Sequence, residues 1–418
     1  MSATLVAPDL RVTFLSVSAE MGGSEVSLLE LLRGLRSLVP SWRLDVVVPR
    51  EGALAVAARG CGAGVHVLPL PARLATVGES GGRGSANIVR RGASMVMAAG
   101  SVGPYSRRLR LLLADLRPDV LHSNGFKLHV LSARIASPAV AVVWHIHEYV
   151  ARRPISRALL GRYVSRCAAI VANSDSVAAD IASVLRDAPP VTRIYNAVDP
   201  VEFSPDGDKA DLDALSGLAP APPETVRVGL VATYAHWKGH ATFLDALRRV
   251  GDTMNVRGYI VGGALYDTAG SQQTRADLET AIAAAGLRGR VGLTGFIARP
   301  ALAMRALDVV VHASTEPEPF GLVIAEGLAT GRAVIVSAAG GAAELVTNEI
   351  DALTHTPGDA RGLASCIARL AGDPALRARL GASARRSALR KFDPAAFTSA
   401  FAGVYRQAHA RTGEHVGG

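Results

Sequence analysis

The sequence predicts an α/β fold of two domains, each a parallel sheet covered by helices on both faces. Three observations predict it: a length of 418 residues, 49% hydrophobic against 19% charged residues, and short apolar runs that alternate with amphipathic stretches in both halves. A chain of this length exceeds one ordinary domain. Apolar strands that alternate with helical stretches are typical of parallel sheets.

Residues 1–195 carry the pattern of one Rossmann-like domain. A helix is predicted over 24–38, between the first two strands. The predicted strands are VTFLSV, LDVVVP, GVHVLPL, DVLHS, AVAVVWHIH and AIVANS. Between Pro71 and Pro104 the periodicity weakens, and GESGGRGSAN at 78–87 is predicted to be a loop.

A second Rossmann-like domain is predicted over residues 226–392. Its strands are VRVGLVA, VRGYIVG, RVGLTG, DVVVHAS, AVIVSAA and DALTH. Residues 196–225, rich in Pro, Asp and Gly, are predicted to be the linker. Helical stretches run from about 360 to 409, and we expect the last segment, 393–418, to cross back to the N-terminal domain. Ligands of open parallel sheets bind at the carboxyl ends of the strands, so we expect the two domains to face a common cleft.

The chain is basic, with 45 Lys and Arg against 36 Asp and Glu. This charge is compatible with nucleic acid, an anionic membrane or an anionic substrate. Aromatic residues are only 5% and do not interleave with the arginines, so we expect no nucleic-acid partner. One group of arginines predicts either a patch for peripheral contact with an anionic membrane or a solvated helix face. Its members are Arg90, Arg91, Arg107, Arg108 and Arg110.

Cysteine usage and the N-terminus predict a cytoplasmic protein, with the inner membrane face as an additional location. Cys61, Cys167 and Cys366 lie far apart, without the spacing of a zinc site or a disulfide framework. The first residues lack a basic leader with an apolar run, and no apolar stretch approaches the ~18 residues of a membrane span.

The segment EPFGLVIAE, residues 318–326, follows the predicted strand DVVVHAS and begins a helix that Gly331 is expected to cap. A carboxylate in a strand-to-helix loop, here Glu318, can accept hydrogen bonds from sugar hydroxyls. The amides near Phe320 and Gly321 suit a diphosphate. Glu326 is expected about two turns into the helix. The spacing of the two glutamates is weak evidence alone, and their place between a strand and a helix strengthens it.

The stretch EPFGLVIAEGLATGRAVIVSAAGGAAELV closely resembles the signature of the retaining glycosyltransferases of family four, also called group 1, which have the GT-B fold. Other segments resemble that family in the same order: EMGGSEVSLLELLRGL, HIHE, ANSDSVAADI, IYNAVDPVEF, ATYAHWKGHATFLDAL and YIVGG. The resemblance covers nearly the whole chain. It implies two Rossmann-like domains facing across a cleft, and a metal-independent, retaining hexosyltransferase that has no cofactor and uses a nucleotide diphosphate sugar as donor substrate.

The resemblance also implies roles for single residues. Glu318 would contact hydroxyls of the donor sugar, and Glu326 the ribose hydroxyls of its nucleotide. An ordinary exposed helix carboxylate at 326, or a carboxylate favoured by the helix dipole at 318, is the structural alternative.

Lys238, in HWKGH at the start of a predicted helix, would meet the donor diphosphate and stabilise the leaving group. Family members usually have an arginine five or six positions earlier, where this chain has Thr233 and Ala232. Compensation by His236, compensation by another arginine, and a different phosphate contact all stay open.

Two glycine pairs are further candidates for donor binding. Gly22 and Gly23 precede the first helix, where their amides could approach a ligand closely, although a simple tight turn also explains them. The resemblance places Gly340, Gly341 and Glu344 in the donor pocket, and Glu344 is equally explained as a helix-start carboxylate.

The strand AVAVVWHIH ends in two histidines that could bond a sugar hydroxyl. His147 aligns with the active-site histidine of the family. His145 is the second candidate, because strand alternation puts both on the same face. His122, in DVLHSNG, is a weaker third.

One asparagine and five aspartates within the predicted linker are interpreted as structural. Asn196 and Asp199 mark the hinge in the family, and we favour a turn role over ligand contact. Four aspartates have the paired spacing by which another glycosyltransferase fold binds a metal, but we interpret them as a solvated linker and expect no metal site. They are Asp206, Asp208, Asp211 and Asp213.

The expected reaction is transfer of a sugar, with retention, to a saccharide, a lipid-linked saccharide or a small metabolite. One alternative keeps the fold but changes the chemistry, to a nucleotide-sugar epimerase or a phosphorylase. Another is a non-catalytic sugar-nucleotide-binding protein, because half of the cationic pair is missing.

Overall fold

A computed structural model describes residues 9–71, 88–251, 254–264 and 272–416. The chain forms two compact units. The first contains the described residues up to Ala197 and those from Pro394 onward, and the second runs from Val198 to Asp393. The loop predicted at 78–87 lies outside the described residues.

The first unit is built on a parallel sheet, with the order β3-β2-β1-β4-β5-β6-β7 in the described residues. The strands are β1 Arg11–Leu15, β2 Arg43–Val48, β3 Gly64–Val67, β4 Val120–Asn124, β5 Ala141–Ile146, β6 Ala169–Ala172 and β7 Val191–Arg193. The strand order reverses between β1 and β4, which is where sheets of this type bind ligands.

Helices cover both faces of this sheet. They are α1 Gly23–Leu38, α2 Ala53–Gly60, α3 Ile88–Leu116, α4 Phe126–Ile135, α5 Pro154–Tyr163, α6 Asp175–Val184 and, at the end of the chain, the helix Pro394–Val416. Alternation along β1 sends Phe14 to a core shared with α1, α2 and the last helix, and Leu15 to a core shared with α3 to α6. Burial on both faces explains why the strands are continuous apolar runs.

The second unit has a parallel sheet of order β10-β9-β8-β11-β12-β13. Its strands are β8 Val226–Val231, β9 Val256–Val261, β10 Val291–Gly295, β11 Val309–His312, β12 Ala333–Ser337 and β13 Leu353–His355. Its helices are α7 Leu212–Ser216, α8 His240–Val250, α9 Arg275–Ala284, α10 Pro300–Ala306, α11 Leu322–Ala329, α12 Gly341–Leu345, α13 Ala360–Gly372 and α14 Pro374–Lys391. The last helix of the chain, Pro394–Val416, is α15.

Two elements of the first unit escaped the sequence pattern. The helix α3 runs through Pro104, although proline normally interrupts a helix. The strand β7 has only three residues and is mostly exposed, so no apolar run marks it. None of the described helices combines the length and the apolar character needed to cross a membrane.

From Val198 onward, the segment predicted as the linker, 196–225, belongs to the second unit. Arginines from that unit bond its backbone carbonyls. Arg305 donates to the carbonyls of Asp208 and Glu202 at 2.6 and 2.8 Å. Arg385 donates to that of Pro200 at 2.9 Å. A segment without hydrophobic periodicity is thus held by hydrogen bonds from distant side chains, which the local pattern does not reveal.

The interpretation of Asp213 as a solvated residue is wrong. Its carboxylate is buried and accepts hydrogen bonds from Tyr259 at 2.6 Å, Arg257 at 2.7 Å and Arg227 at 3.2 Å. A carboxylate with these partners fastens α7 beside β8 and β9. The remaining aspartates of the predicted set are exposed, and they are Asp206, Asp208 and Asp211.

The turn role expected of Asp199, near the start of this segment, is found. Asp199 Oδ1 accepts from the amides of Val201 and Glu202 at 2.8 and 3.2 Å, as in an Asx turn. Asn196 is buried in the first unit and accepts from Ser27 Oγ at 2.9 Å.

Candidate active site

Lys238 lies in the turn between β8 and α8. After β8 the chain forms a short 3-10 turn, His236–Lys238, and Gly239 follows with a φ of +78°. A Cβ at Gly239 would lie 1.9 Å from the carbonyl oxygen of Ala313. Backbone conformation and space both exclude a side chain there, so this turn is held against the chain that leaves β11.

Glu318 lies in the loop after β11 and forms an ion pair with Lys238. The ammonium of Lys238 donates to Oε1 and Oε2 of Glu318 at 2.9 and 3.0 Å. The exposed fractions of the two side chains are 17% and 10%. Charges that are this far from water interact more strongly than charges on the surface. The structure thus brings together the predicted phosphate-binding cation and the predicted sugar-binding carboxylate.

Two further side chains hold Glu318, and the sequence reasoning missed both. Ser314 Oγ donates to Oε2 at 2.8 Å, and His312 Nε2 lies 3.3 Å from the same oxygen. Burial raises the pKa of Glu318, but the charge of Lys238 and the hydrogen bonds outweigh burial and hold the pKa well below its usual range. Polar residues at the end of the apolar run DVVVHAS were the available signal.

Glu326 is buried and is the fifth residue of α11. It therefore lies little more than one turn into the helix, whereas the sequence predicted about two turns. Burial, with a smaller contribution from the charge of Glu202, raises the pKa of Glu326 to about 8. Within the described residues no protein group donates a hydrogen bond to its carboxylate. Its carboxyl group can donate a hydrogen bond when protonated and can only accept when ionised.

Phe320 and Gly321 form the entrance to α11. Phe320 is buried and packs edge-on against Phe392 at a ring distance of 5.9 Å. Gly321 has a φ of +95°, which favours glycine. The side chain of Phe320 therefore belongs to the core of the second unit. Gly331, the predicted cap, follows the helix with a φ of +67°.

The loop after β12 lies beside Glu318. Gly340 forms an isolated parallel bridge with Glu318 and has a φ of +65°. Gly341 begins α12, and Glu344 is half-buried in this helix. The structure thus brings the predicted glycine pair to the same edge of the sheet as the ion pair.

Thr233 and Ala232 are both half-buried at the positions of the family arginine. His236, one candidate to replace the charge of the missing arginine, is exposed and lies near the start of α9. At the start of this helix, the pKa of Asp277 is lowered by hydrogen bonds from Thr274 and, to a smaller extent, by His236. His236 therefore has a carboxylate as one of its neighbours.

In the first unit, Gly22 caps the N-terminus of α1 and Gly23 is the first residue of this helix. The amide of Gly22 donates to Glu25 Oε2 at 3.2 Å, and the hydroxyls of Ser24 and Ser16 bond the same carboxylate at 2.9 and 3.3 Å. The Gly22 amide is thus already bonded within the turn. A Cβ at Gly23 would meet nothing within 4 Å, so its backbone borders open space.

The structure distinguishes the two histidines that strand alternation could not separate. His145 lies within β5 and is buried, and its Nε2 has no hydrogen-bond partner in the described part of the chain. His147 lies beyond the end of β5 and is half-buried, with Nε2 3.4 Å from Asn124 Oδ1. The partial exposure favours His147 as the histidine that meets a ligand.

His122, the third candidate, is fully buried in β4. Its Nδ1 lies 2.8 Å from the hydroxyl of Tyr405, and its Nε2 lies 3.2 Å from Asn124 Oδ1. Burial lowers the pKa of His122 to about 4. Burial, and after it the neighbouring histidines, hold the pKa of His145 well below its usual value. These imidazoles are therefore neutral at pH 7. Among the described residues, no group of three or more His, Cys, Asp or Glu could hold a metal ion.

Two family models match the sequence. The model of Glycosyltransferase Family 4 matches residues 21–202, and that of Glycosyl transferases group 1 matches residues 220–387. The chain belongs to glycosyltransferase family four. The boundary between the two matches falls near the division between the two units.

Proteins of similar sequence are glycosyltransferases by name. The lipopolysaccharide core biosynthesis glycosyltransferase LpsD of Rhizobium meliloti is 32% identical over 48% of this chain and 58% of its own length. The D-inositol 3-phosphate glycosyltransferase of Xylanimonas cellulosilytica is 30% identical over 58% of this chain and 59% of its own length. The chain therefore spans about three fifths of the length of these two relatives.

A solved structure has the same fold. HepE (Alr3699) of Anabaena, in complex with UDP-glucose, is similar with a TM-score of 0.75 and 25% identity over 94% of this chain and 98% of that one. The fold is GT-B, with two parallel-sheet α/β domains, as the sequence resemblance implied.

Proposed function

We propose that this chain transfers a sugar from a nucleotide diphosphate sugar to an acceptor with retention of configuration and without a metal ion. The observation that carries the proposal is the buried ion pair of Lys238 and Glu318, at the carboxyl ends of β8 and β11. Membership of the family and the complex of the similar protein HepE with UDP-glucose also support the proposal. UDP-glucose is therefore the first donor to test.

Lys238 stabilises the departing diphosphate in this mechanism. Its ammonium has three hydrogens, and two of them are directed at Glu318. The third can bond a phosphate oxygen while the ion pair persists, and the unbonded amides at the start of α8 favour negative charge. A fixed cation acts most strongly in the transition state, when charge develops on the leaving group.

Glu318 and Glu326 bind different parts of the donor. Glu318, held ionised, accepts from sugar hydroxyls and fixes the ring for an oxocarbenium-like transition state. Glu326 bonds the ribose hydroxyls, and the backbone of Gly321, Gly340 and Gly341 lies near the phosphates. No side chain attacks the sugar, so the two glutamates do not act as a glycosidase pair.

In the first unit, His147 accepts a hydrogen bond from a sugar hydroxyl, and the open backbone at Gly23 borders the acceptor or the donor phosphate. Burial and the nearby His122 lower the pKa of His147. The imidazole is then neutral and keeps a lone pair for the hydroxyl.

The acceptor proposed here is a saccharide or a lipid-linked saccharide, met at an anionic membrane face. Two exposed apolar side chains of α5, Ile155 at 47% and Leu159 at 45% exposure, lie four residues apart on a helix that has no acidic residue. Leu111 of α3 is 59% exposed. The same two helices also carry exposed arginines: Arg107, Arg108, Arg110, Arg157 and Arg162. The side chains of Arg90 and Arg91 are not among those described.

The test is a panel of UDP-, GDP-, ADP- and TDP-sugars with candidate acceptors, assayed for nucleotide release with and without EDTA. The proposal expects release that depends on an acceptor and is unchanged by EDTA, with NMR showing that the product keeps the donor's anomeric configuration. Release without an acceptor would favour donor hydrolysis or epimerisation, and inhibition by EDTA would refute metal independence.

A further inference from the structure

A chain of hydrogen bonds leads from the C-terminal helix to His147. Tyr405, in α15, bonds His122 Nδ1 at 2.8 Å. His122 Nε2 lies 3.2 Å from Asn124 Oδ1, and the same oxygen lies 3.4 Å from His147 Nε2. All four residues belong to the first unit, and Tyr405, His122 and Asn124 are buried.

The chemistry of the four groups fixes the direction of each bond. The amide oxygen of Asn124 can only accept, so both imidazoles must present an N–H at Nε2. His122 is neutral, so its Nδ1 then carries a lone pair and must accept from Tyr405. Burial raises the pKa of Tyr405 well above its usual value, so the phenol keeps the proton that it donates.

We infer that Tyr405, His122 and Asn124 are positioning residues that hold His147 as the Nε2–H tautomer, so that Nδ1 is its hydrogen-bond acceptor. The catalytic meaning of this inference rests on the function proposed for His147. The tautomer of His147 does not depend on that function, because it follows from the hydrogen bonds alone.

The surroundings strengthen the preference for neutral rings. His145 lies against His147 at a ring distance of 3.8 Å, with the two ring planes tilted by 46°, and meets His122 edge-on at 5.4 Å. Two imidazolium charges at these separations would repel and lose solvation. The family-defining segments do not include Tyr405, so the C-terminal helix contributes a residue to this site that the motifs do not indicate.

The tautomer matters because it decides what His147 can offer a sugar. With hydrogen on Nε2, the lone pair of Nδ1 accepts from a hydroxyl. With hydrogen on Nδ1, the same position would offer only a donor. The link to His147 is the longest of the three at 3.4 Å, and such bonds often shorten when substrate binds.

The experiment is 15N NMR of histidine-labelled full-length protein without ligand at pH 7. Imidazole nitrogens with and without hydrogen have well-separated shifts, and the signals of His147 are those lost in His147→Gln. Wild type is expected to show one Nε2–H species. Tyr405→Phe and His122→Leu should shift His147 toward a mixture of tautomers, and His122→Gln, which can both donate and accept, should restore the single species.

Phe401→Leu is the matched control, because Phe401 packs against His122 and His145 without entering the chain of hydrogen bonds. It should lower the melting temperature without changing the tautomer of His147. If transfer activity is found, Tyr405→Phe should lower kcat about 10-fold, as loss of an orienting partner does elsewhere, with a smaller change in the KM for the donor.

An Nδ1–H or protonated His147 in wild type would overturn the inference, as would a tautomer unchanged in both Tyr405→Phe and His122→Leu. If the tautomer behaves as expected but His147→Gln transfers sugar at the wild-type rate, the inference holds and the proposed role of His147 fails. The two failures are therefore distinguishable.

Discussion

Lys238 donates to both carboxylate oxygens of Glu318, at 2.9 and 3.0 Å. Such a pair is weak evidence for stability, because removing two charges from water can offset their attraction. Breaking it from one side leaves an unpaired buried charge. In the proposed donor site, each of the two side chains therefore fixes the position of the other.

The ion pair predicts a pronounced double-mutant effect. Lys238→Met should destabilise the second unit by about 3–5 kcal/mol, because Glu318 is left without its counter-charge. Lys238→Met combined with Glu318→Gln should recover most of that loss, as measured by urea unfolding. Additive losses in the double variant would mean that the two charges do not interact.

The depressed pKa of Glu318 predicts how the pair responds to acid. Its folded pKa lies below the unfolded value of about 4.3, so its contribution to stability is present above that pH and is lost as the pH falls through the range below it. The difference in melting temperature between wild type and Glu318→Gln should therefore shrink below about pH 4. A difference that stays constant from pH 7 to pH 3 would contradict this.

Glu326 predicts the opposite dependence. Its folded pKa of about 8 exceeds the unfolded value, so the folded state holds a proton that the unfolded state has lost. The contribution is complete below the unfolded pKa and is lost as the pH rises toward 8, with a slope of up to about 1.4 kcal/mol per pH unit. Wild type should lose stability relative to Glu326→Gln between pH 5 and 8. The exposed Glu224→Gln is the control and should show no such trend.

A side chain at Gly239 is predicted to clash with its surroundings, and the cost of this clash can be separated from the cost of backbone strain. Gly239→Ala meets the Ala313 carbonyl and a φ of +78°, whereas Gly217→Ala has a φ of +66°, also in the left-handed region, and open space. Both should pay the left-handed penalty of about 1–2 kcal/mol. Only Gly239→Ala should lose unfolding free energy beyond this penalty. Only this variant should also displace Lys238 and lower the affinity for the donor. Equal unfolding free energies for the two variants would show that the turn adapts without strain.

Membrane contact through α5 predicts that replacing Ile155 and Leu159 together by Ser lowers binding to phosphatidylglycerol vesicles about 10-fold. Leu389→Ser, on an equally exposed leucine of α14, should leave binding unchanged. Cosedimentation measures both, and binding should weaken with salt. Equal binding to neutral phosphatidylcholine vesicles would argue against an anionic surface.

Local sequence patterns predicted most of the fold. The inner strands of both sheets are apolar runs because they are buried on both faces, and Gly331 ends α11 where the pattern expected it. The strand end before EPFG also located Glu318 correctly.

Long-range contacts accounted for what the pattern missed. The local sequence around Asp213 predicts a solvated residue. Its hydrogen-bond partners Arg257 and Tyr259 lie 44 and 46 residues away, so the local pattern could not reveal that it is buried. Tyr405 lies 283 residues from His122, so no spacing rule could have joined them. The choice between His145 and His147 needed the exact end of β5, which a period-two pattern does not give.

The most direct measurement is the rate of acceptor-dependent UDP release from UDP-glucose, or from the preferred donor of the panel, by wild type, Lys238→Ala and the exposed control Lys209→Ala. The account predicts that Lys238→Ala lowers kcat by about 10²–10³-fold, the loss seen when a transition-state charge contact is removed, while Lys209→Ala keeps the wild-type rate. Turnover by Lys238→Ala at the wild-type rate would contradict it.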